Sequence, residues 1–172
     1  MTISIYAPSY DPYEGYGRIA LELAWYLTAA GEHVNPLGSP LLDFDTHTDA
    51  MRNILHKPIM ASAGGLLLGY PTLYRGYGAM AATGLRVAIT MFESTILPDG
   101  WVDVLNQCDE VIVPARWLVD VMRQNGVCVP VSYISLGVSE TFTLPHTLPD
   151  DCVVNYPIKR FMVNGQLRYV RE

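Results

Sequence analysis

The stretch YEGYGRIALELAWYLTAAGEHV, Tyr13 to Val34, sets Gly15-x-Gly17-x-x-Ala20 directly ahead of an apolar pattern with helical spacing. Ile19, Leu23 and Leu27 fall on one face and the pattern stops at Gly31, which predicts a helix over 18–30. A glycine pair at the head of a helix raises the dinucleotide fingerprint, in which a strand runs straight into the first glycine. The pyrophosphate then meets the helix N-terminus. Here seven residues, PSYDPYE, stand between the apolar run Ile3–Ala7 and Gly15. The acid that would hold a ribose, about twenty residues further on, falls instead among Pro36, Leu37 and Gly38. The nearest acid, Asp43, lies past a turn. The spacing disfavours a dinucleotide site. Two readings of the pair stay open: close approach of backbone to a ligand at the positive end of a helix, or the geometry of a long turn.

Outward from this helix the chain alternates. Strands are predicted at Ile3–Ala7, His33–Leu37, Gly64–Tyr70, Leu85–Phe92, Glu110–Pro114 and Val131–Ser135. A weak helix over 47–56, one over 100–107 and one over 116–125 lie between them. Apolar strands alternating with helices predict an α/β fold, a Rossmann-like parallel sheet with helices on both faces. PHTLPDDCVVNYP, 145–157, has the prolines and paired aspartates of a linker. KRFMVNGQ after it opens like another strand, which would need a sheet to join.

Composition excludes several classes. The 172 residues are 50% hydrophobic and 16% charged, and they fit one domain of ordinary size. The formal charge of −6 argues against a nucleic-acid face. Four of the eleven basic residues, Lys159, Arg160, Arg168 and Arg171, sit in the last fourteen positions, as in a solvated chain end. The longest uncharged run, Pro58–Tyr74, is broken by prolines and glycines and is no transmembrane segment. Cys108, Cys128 and Cys152 form no C-x-x-C pair, so buried thiols in a cytoplasmic protein are expected. His33, expected to end the first helix, and His47, His56 and His146 show no metal-ligand spacing, and no metal or cofactor site is expected.

Three segments in order carry a resemblance. YGRIALELAWYLTAAGEHV resembles the glycine loop and first helix of retaining glycosyltransferases of the GT-B fold, group 1 or family 4-like. MFESTILPDGW, Met91–Trp101, is similar to their stretch in which an aromatic precedes Glu, a small residue, Thr and a Leu-Pro turn. CDEVIVPARWLVDVMRQNGVCVPVSYISLGVSETF, Cys108–Phe142, resembles the segment that closes their N-terminal domain, with Gly137 and Val138 leading to the hinge.

The resemblance implies sugar transfer from a nucleotide-sugar donor to an acceptor hydroxyl with retention and without an essential metal. It divides the chain into an acceptor-side Rossmann-like domain over 1–144, a hinge over 145–158, and the beginning of a donor-binding C-terminal domain over 159–172. Arg171 matches a basic residue that helps hold the donor diphosphate, whereas Glu172 and Glu14 replace the family's usual Lys and Gly. The chain ends before the Glu-x7-Glu motif of the second domain, so it is expected to be inactive alone and to self-associate through an exposed interdomain face.

Site expectations combine position with this resemblance. Gly15, Tyr16, Gly17 and Arg18 flank the helix start, where Arg18 would meet a phosphate or an anionic acceptor. Glu93 follows the strongest strand, on the edge where parallel sheets gather ligands. It is expected to bind acceptor hydroxyls or to act as a base. Ser94 and Thr95 are supporting donors. The tyrosines of GYPTLYRGYG, 69–78, offer rings for sugar stacking. Two rival readings are a stand-alone binding or assembly domain of the same fold and an NAD-type domain.

Overall fold

Strand β1 (Thr2–Ala7) alternates side chains between two faces, as a pleated strand must. Ile5 and Ala7 are buried on one side and Tyr6 packs on the other. The computed structural model describes residues 1–38, 49–76 and 84–137, with the backbone of two further strands at 161–163 and 166–168. β1 pairs in parallel with β2 (His33–Gly38) on one side and β3 (Gly64–Leu68) on the other. β4 (Leu85–Ile89), β5 (Glu110–Val113) and β6 (Val131–Tyr133) extend the sheet in the order β2-β1-β3-β4-β5-β6, every pair parallel. This is the α/β, Rossmann-like architecture expected.

Both faces are covered. Helix α1 (Gly15–Ala29) and α2 (Asp49–Leu55) share a core with Ile5, Ala7, Val34 and Leu68. On the opposite face α3 (Trp101–Leu105) and α4 (Arg116–Gln124) pack on Leu67, Ala88, Val111 and Val113. Strand register links the two sets, since Leu67 lies beside Ala88 and Leu68 beside Ile89. The buried line of α1 is Gly17, Ala20, Leu21 and Ala24, with Ile19, Leu23 and Leu27 only partly covered. Small residues let this helix lie close to the sheet, a stripe that the spacing of large apolar residues does not reveal.

The first helix therefore begins three residues earlier than expected, and the glycines lie in its first turn. Glu14 is the residue before the helix, and its carbonyl accepts the first helical bond from the Arg18 amide at 2.8 Å. A Cβ on Gly17 would stand 2.5 Å from the Asp11 carbonyl and 2.6 Å from the Ser9 hydroxyl, so only glycine fits. A Cβ on Gly15 would meet nothing within 4 Å. The two glycines thus divide the readings left open: Gly17 serves the fold, and Gly15 faces open space.

Other expectations are corrected by hydrogen bonding. β4 stops at Ile89 rather than Phe92, because the Met91 amide leaves the ladder for the Tyr16 hydroxyl at 3.1 Å. His33 opens β2 rather than ending α1, and one ring nitrogen sits 3.1 Å from the Pro58 carbonyl. Cys108 is buried, but Cys128 is exposed, in a turn where its amide donates to Asn106 at 2.8 Å. Cys152 lies outside the described residues.

The chain divides into two compact units, Met1–Leu136 and Gly137–Glu172. In the second, β7 (Phe161–Val163) pairs antiparallel with β8 (Gln166–Arg168), so the run that needed a partner finds it in its own continuation. The expected linker 145–158 and Arg171 lie outside the described residues.

Gly17→Ala is expected to lower the unfolding free energy by about 2–3 kcal/mol, because backbone has to move to admit the methyl group. Gly15→Ala is expected to stay within about 0.5 kcal/mol of the parent, as an uncrowded surface substitution does. Urea unfolding of the two variants checks this contrast.

Candidate functional site at the carboxyl edge of the sheet

The connection after β1 leaves toward β2, whereas the chain after β3 proceeds toward β4. Adjacent strands whose connections part in opposite directions leave a crevice at their carboxyl ends, the usual ligand position in open parallel sheets. Three segments meet there: residues 8–17, residues 69–74 and residues 90–97.

The first segment is closed by its own polar groups. The Ser9 hydroxyl accepts the Asp11 amide at 3.2 Å and donates to the Glu14 carboxylate. The Asp11 side chain accepts the Tyr13 amide at 2.8 Å, a local turn of the kind aspartate favours. Tyr10 points inward, only 2% exposed. Its hydroxyl donates to the Ile5 carbonyl at 2.7 Å and accepts the Leu37 amide at 3.1 Å. The phenol thus ties β1 to β2 through Ile5 and Leu37.

Tyr16 spans the crevice. Its hydroxyl accepts the Met91 amide and donates to the Met91 carbonyl at 3.3 Å. This joins the first turn of α1 to the loop after β4. Burial raises the pKa of this phenol above 10.0, opposed by the Met91 bond and by the Thr90 hydroxyl, with Tyr70 and Glu93 adding smaller upward pushes. Thr90 itself is buried, and among the described residues its hydroxyl has no partner at hydrogen-bonding geometry. Tyr16 is therefore a neutral clamp at ordinary pH.

The loop after β4 carries Glu93, Ser94 and Thr95, all exposed. The Glu93 carboxylate lies near enough to Tyr16 to act on it electrostatically. The Ser94 hydroxyl accepts the Ile96 amide at 3.4 Å, and Thr95 contributes its carbonyl to the Asn125 side chain at 2.9 Å. Asn125 also accepts the Leu97 amide at 3.0 Å and donates to Val121 at 2.9 Å. One amide at the end of α4 thus fixes the loop that presents Glu93. Sequence reasoning passed over Asn125 because a residue ending a helix gives no sign of the loop it will reach.

The structure brings Gly15, Tyr16 and Glu93 to one edge and leaves Arg18 apart from them. Arg18 lies on the exposed side of α1 and pairs with Glu22 at 3.0 Å, one turn on. The negative Glu14 sits at the head of α1 instead. Among the described residues no three His, Cys, Asp or Glu side chains gather as a metal set, and no helix is long and apolar enough to cross a membrane.

No family model matches the chain, and no curated protein matches it.

Tyr16→Phe is expected to lower stability by about 1–2 kcal/mol through the lost bonds to Met91. The raised pKa carries a sign: the folded chain keeps a proton that the unfolded chain releases. That stabilisation is complete below pH 10 and declines as the pH rises beyond it. The stability gap between parent and Tyr16→Phe should therefore hold steady below pH 10 and narrow as the pH rises above it, measured by urea unfolding at each pH. Asn125→Ala is expected to cost about 2 kcal/mol and to speed amide hydrogen exchange at Leu97.

Proposed function

We propose that this chain is the acceptor-side half of a glycosyltransferase, which moves a sugar from a nucleotide sugar to an acceptor hydroxyl. The observation that carries the reading is the meeting of Gly15, Tyr16 and Glu93 at one carboxyl edge, where the chain has both a carboxylate and aromatic surface. A carboxylate accepts hydrogen bonds from sugar hydroxyls, and from the attacking hydroxyl it can accept a proton. The ordered motifs of 13–34, 91–101 and 108–142 point to the same enzyme class.

In this reading Glu93 orients the acceptor, Asn125 holds the Glu93 loop in place, and Tyr16 keeps that loop against the head of α1. Holding an acceptor in a reactive geometry is a large part of what such a half contributes to catalysis. In this reading the carboxyl edge of the sheet binds the acceptor. The chain works in the cytoplasm. Tyr133, Ile134 and Leu136, exposed at the end of the first unit, form the apolar surface for self-association.

One observation favours a second reading, a binding domain without chemistry: Glu14 puts a negative charge where a helix would otherwise attract phosphate. The dinucleotide reading is opposed by the seven residues between β1 and Gly15 and by the lack of an acid at the end of β2.

The test is a titration of the isotope-labelled chain, followed by amide NMR, with methyl pyranosides and separately with NAD. Pyranosides are expected to bind with a dissociation constant of about 1 mM and to move the signals of Gly15, Tyr70 and Glu93. Silence toward every pyranoside, or binding of NAD at these residues, would overturn the reading.

A further inference from the structure

Among the described residues of the crevice, Tyr70 is a large side chain whose ring is both held in place and open to solvent. Gly69, at φ +115°, turns the chain out of β3 through a conformation that favours glycine. Pro71 then opens a single 3-10 turn, Pro71–Leu73. The turn is anchored by the fully buried Tyr74, whose hydroxyl donates back to the Gly69 carbonyl at 3.1 Å. Tyr70 is held between these two constraints.

Its ring is held as well. It meets the Tyr16 ring edge-on at 5.6 Å and 77°, and lies tilted against Trp101 at 5.6 Å and 36°. Trp101 is 4% exposed and packs in turn on Phe92 at 5.0 Å, the residue before Glu93. Tyr70 nevertheless remains 47% exposed. A ring positioned in this way has given up its rotamer freedom before a ligand arrives, so stacking on it loses little further entropy.

The polar surroundings select the ligand. Glu93 directly follows Phe92, whose ring packs on Trp101, and Trp101 in turn meets the Tyr70 ring, so carboxylate and ring belong to one connected edge. The head of α1 has no side-chain cap, which leaves amide donors beside the open Gly15. Glu14 and Glu93 make the site negative, and Arg18 pairs with Glu22 on the exposed side of α1. A phosphate would meet repulsion from two carboxylates. A hydroxyl suits both sets of partners, donating to carboxylate and accepting from amide.

We propose that Tyr70, Glu93 and the Gly15 end of α1 form a subsite for an uncharged pyranose ring of the acceptor, stacked on Tyr70, and that the subsite rejects phosphorylated sugars. This rests on the acceptor-side reading given above and narrows it to one class of acceptor.

The experiment compares methyl pyranosides with the corresponding sugar 6-phosphates by amide NMR on the whole chain, for the parent, Tyr70→Phe and Tyr70→Ala. The parent should bind the neutral glycoside at least about tenfold more tightly than its phosphate. Tyr70→Phe should keep that affinity within about twofold, since the ring face remains. Tyr70→Ala should lose about tenfold or more while its unaffected amide signals report an intact fold. Equal or tighter binding of the phosphate by the parent overturns the proposal without any variant. So does neutral-sugar binding that survives Tyr70→Ala; in both cases the acceptor-side reading stands. Failure of all sugars to bind the parent overturns both.

Discussion

The absence of one methyl group governs the functional edge of this protein. Gly17 lies against the backbone of Asp11 and the hydroxyl of Ser9, at a separation no Cβ tolerates. That close approach lets the connection after β1 fold back on the first turn of α1. Ser9 can then bond Glu14, and Tyr10 can turn under the ends of β1 and β2. It also sets α1 at the height from which Tyr16 reaches Met91. A larger residue at position 17 would displace the loop, the plug and the clamp together.

The crevice that results differs in charge from a phosphate site built on the same topology. A helix N-terminus at a topological switch point ordinarily attracts an anion. Here the chain supplies its own carboxylate at Glu14 and draws Arg18 away along the helix to Glu22. What remains open is aromatic surface, amide donors and Glu93. The loop carrying Glu93 has no regular structure, yet its backbone is tied at Met91 to Tyr16 and at Thr95 and Leu97 to Asn125. A polar group on an irregular loop is thereby held from two elements on either side.

The fold was legible because it follows from periodicity. The strands at 3–7, 64–68 and 110–113 are largely apolar, as a doubly covered parallel sheet demands, with Ser4 and Glu110 the polar exceptions. The position of Glu93, exposed in the loop after the strongest strand, was legible as well. The failures have local causes. The end of β4 was placed three residues late because Thr90, Met91 and Phe92 have strand character, and only the Tyr16 hydroxyl draws Met91 away. Arg18 was assigned to the ligand because the helix start lay near it; in the structure it pairs with Glu22 one turn later.

The amino-acid sequence by itself determined the α/β class, the parallel sheet and the absence of the spacing a dinucleotide fingerprint needs. Each of these rests on patterns repeated every two or four residues along the chain, where neighbours in sequence are neighbours in space. Only the tertiary structure decided which glycine is structural and which is open. It also decided that Tyr10 turns its hydroxyl back to Ile5 and Leu37, that Tyr16 is a clamp, and that Tyr70 stands against the rings of Tyr16 and Trp101. Those roles depend on contacts such as Tyr16 with Met91 and Asn125 with Thr95, made between residues far apart in the chain. No local pattern encodes such meetings, because they exist only once the sheet has brought its carboxyl ends together.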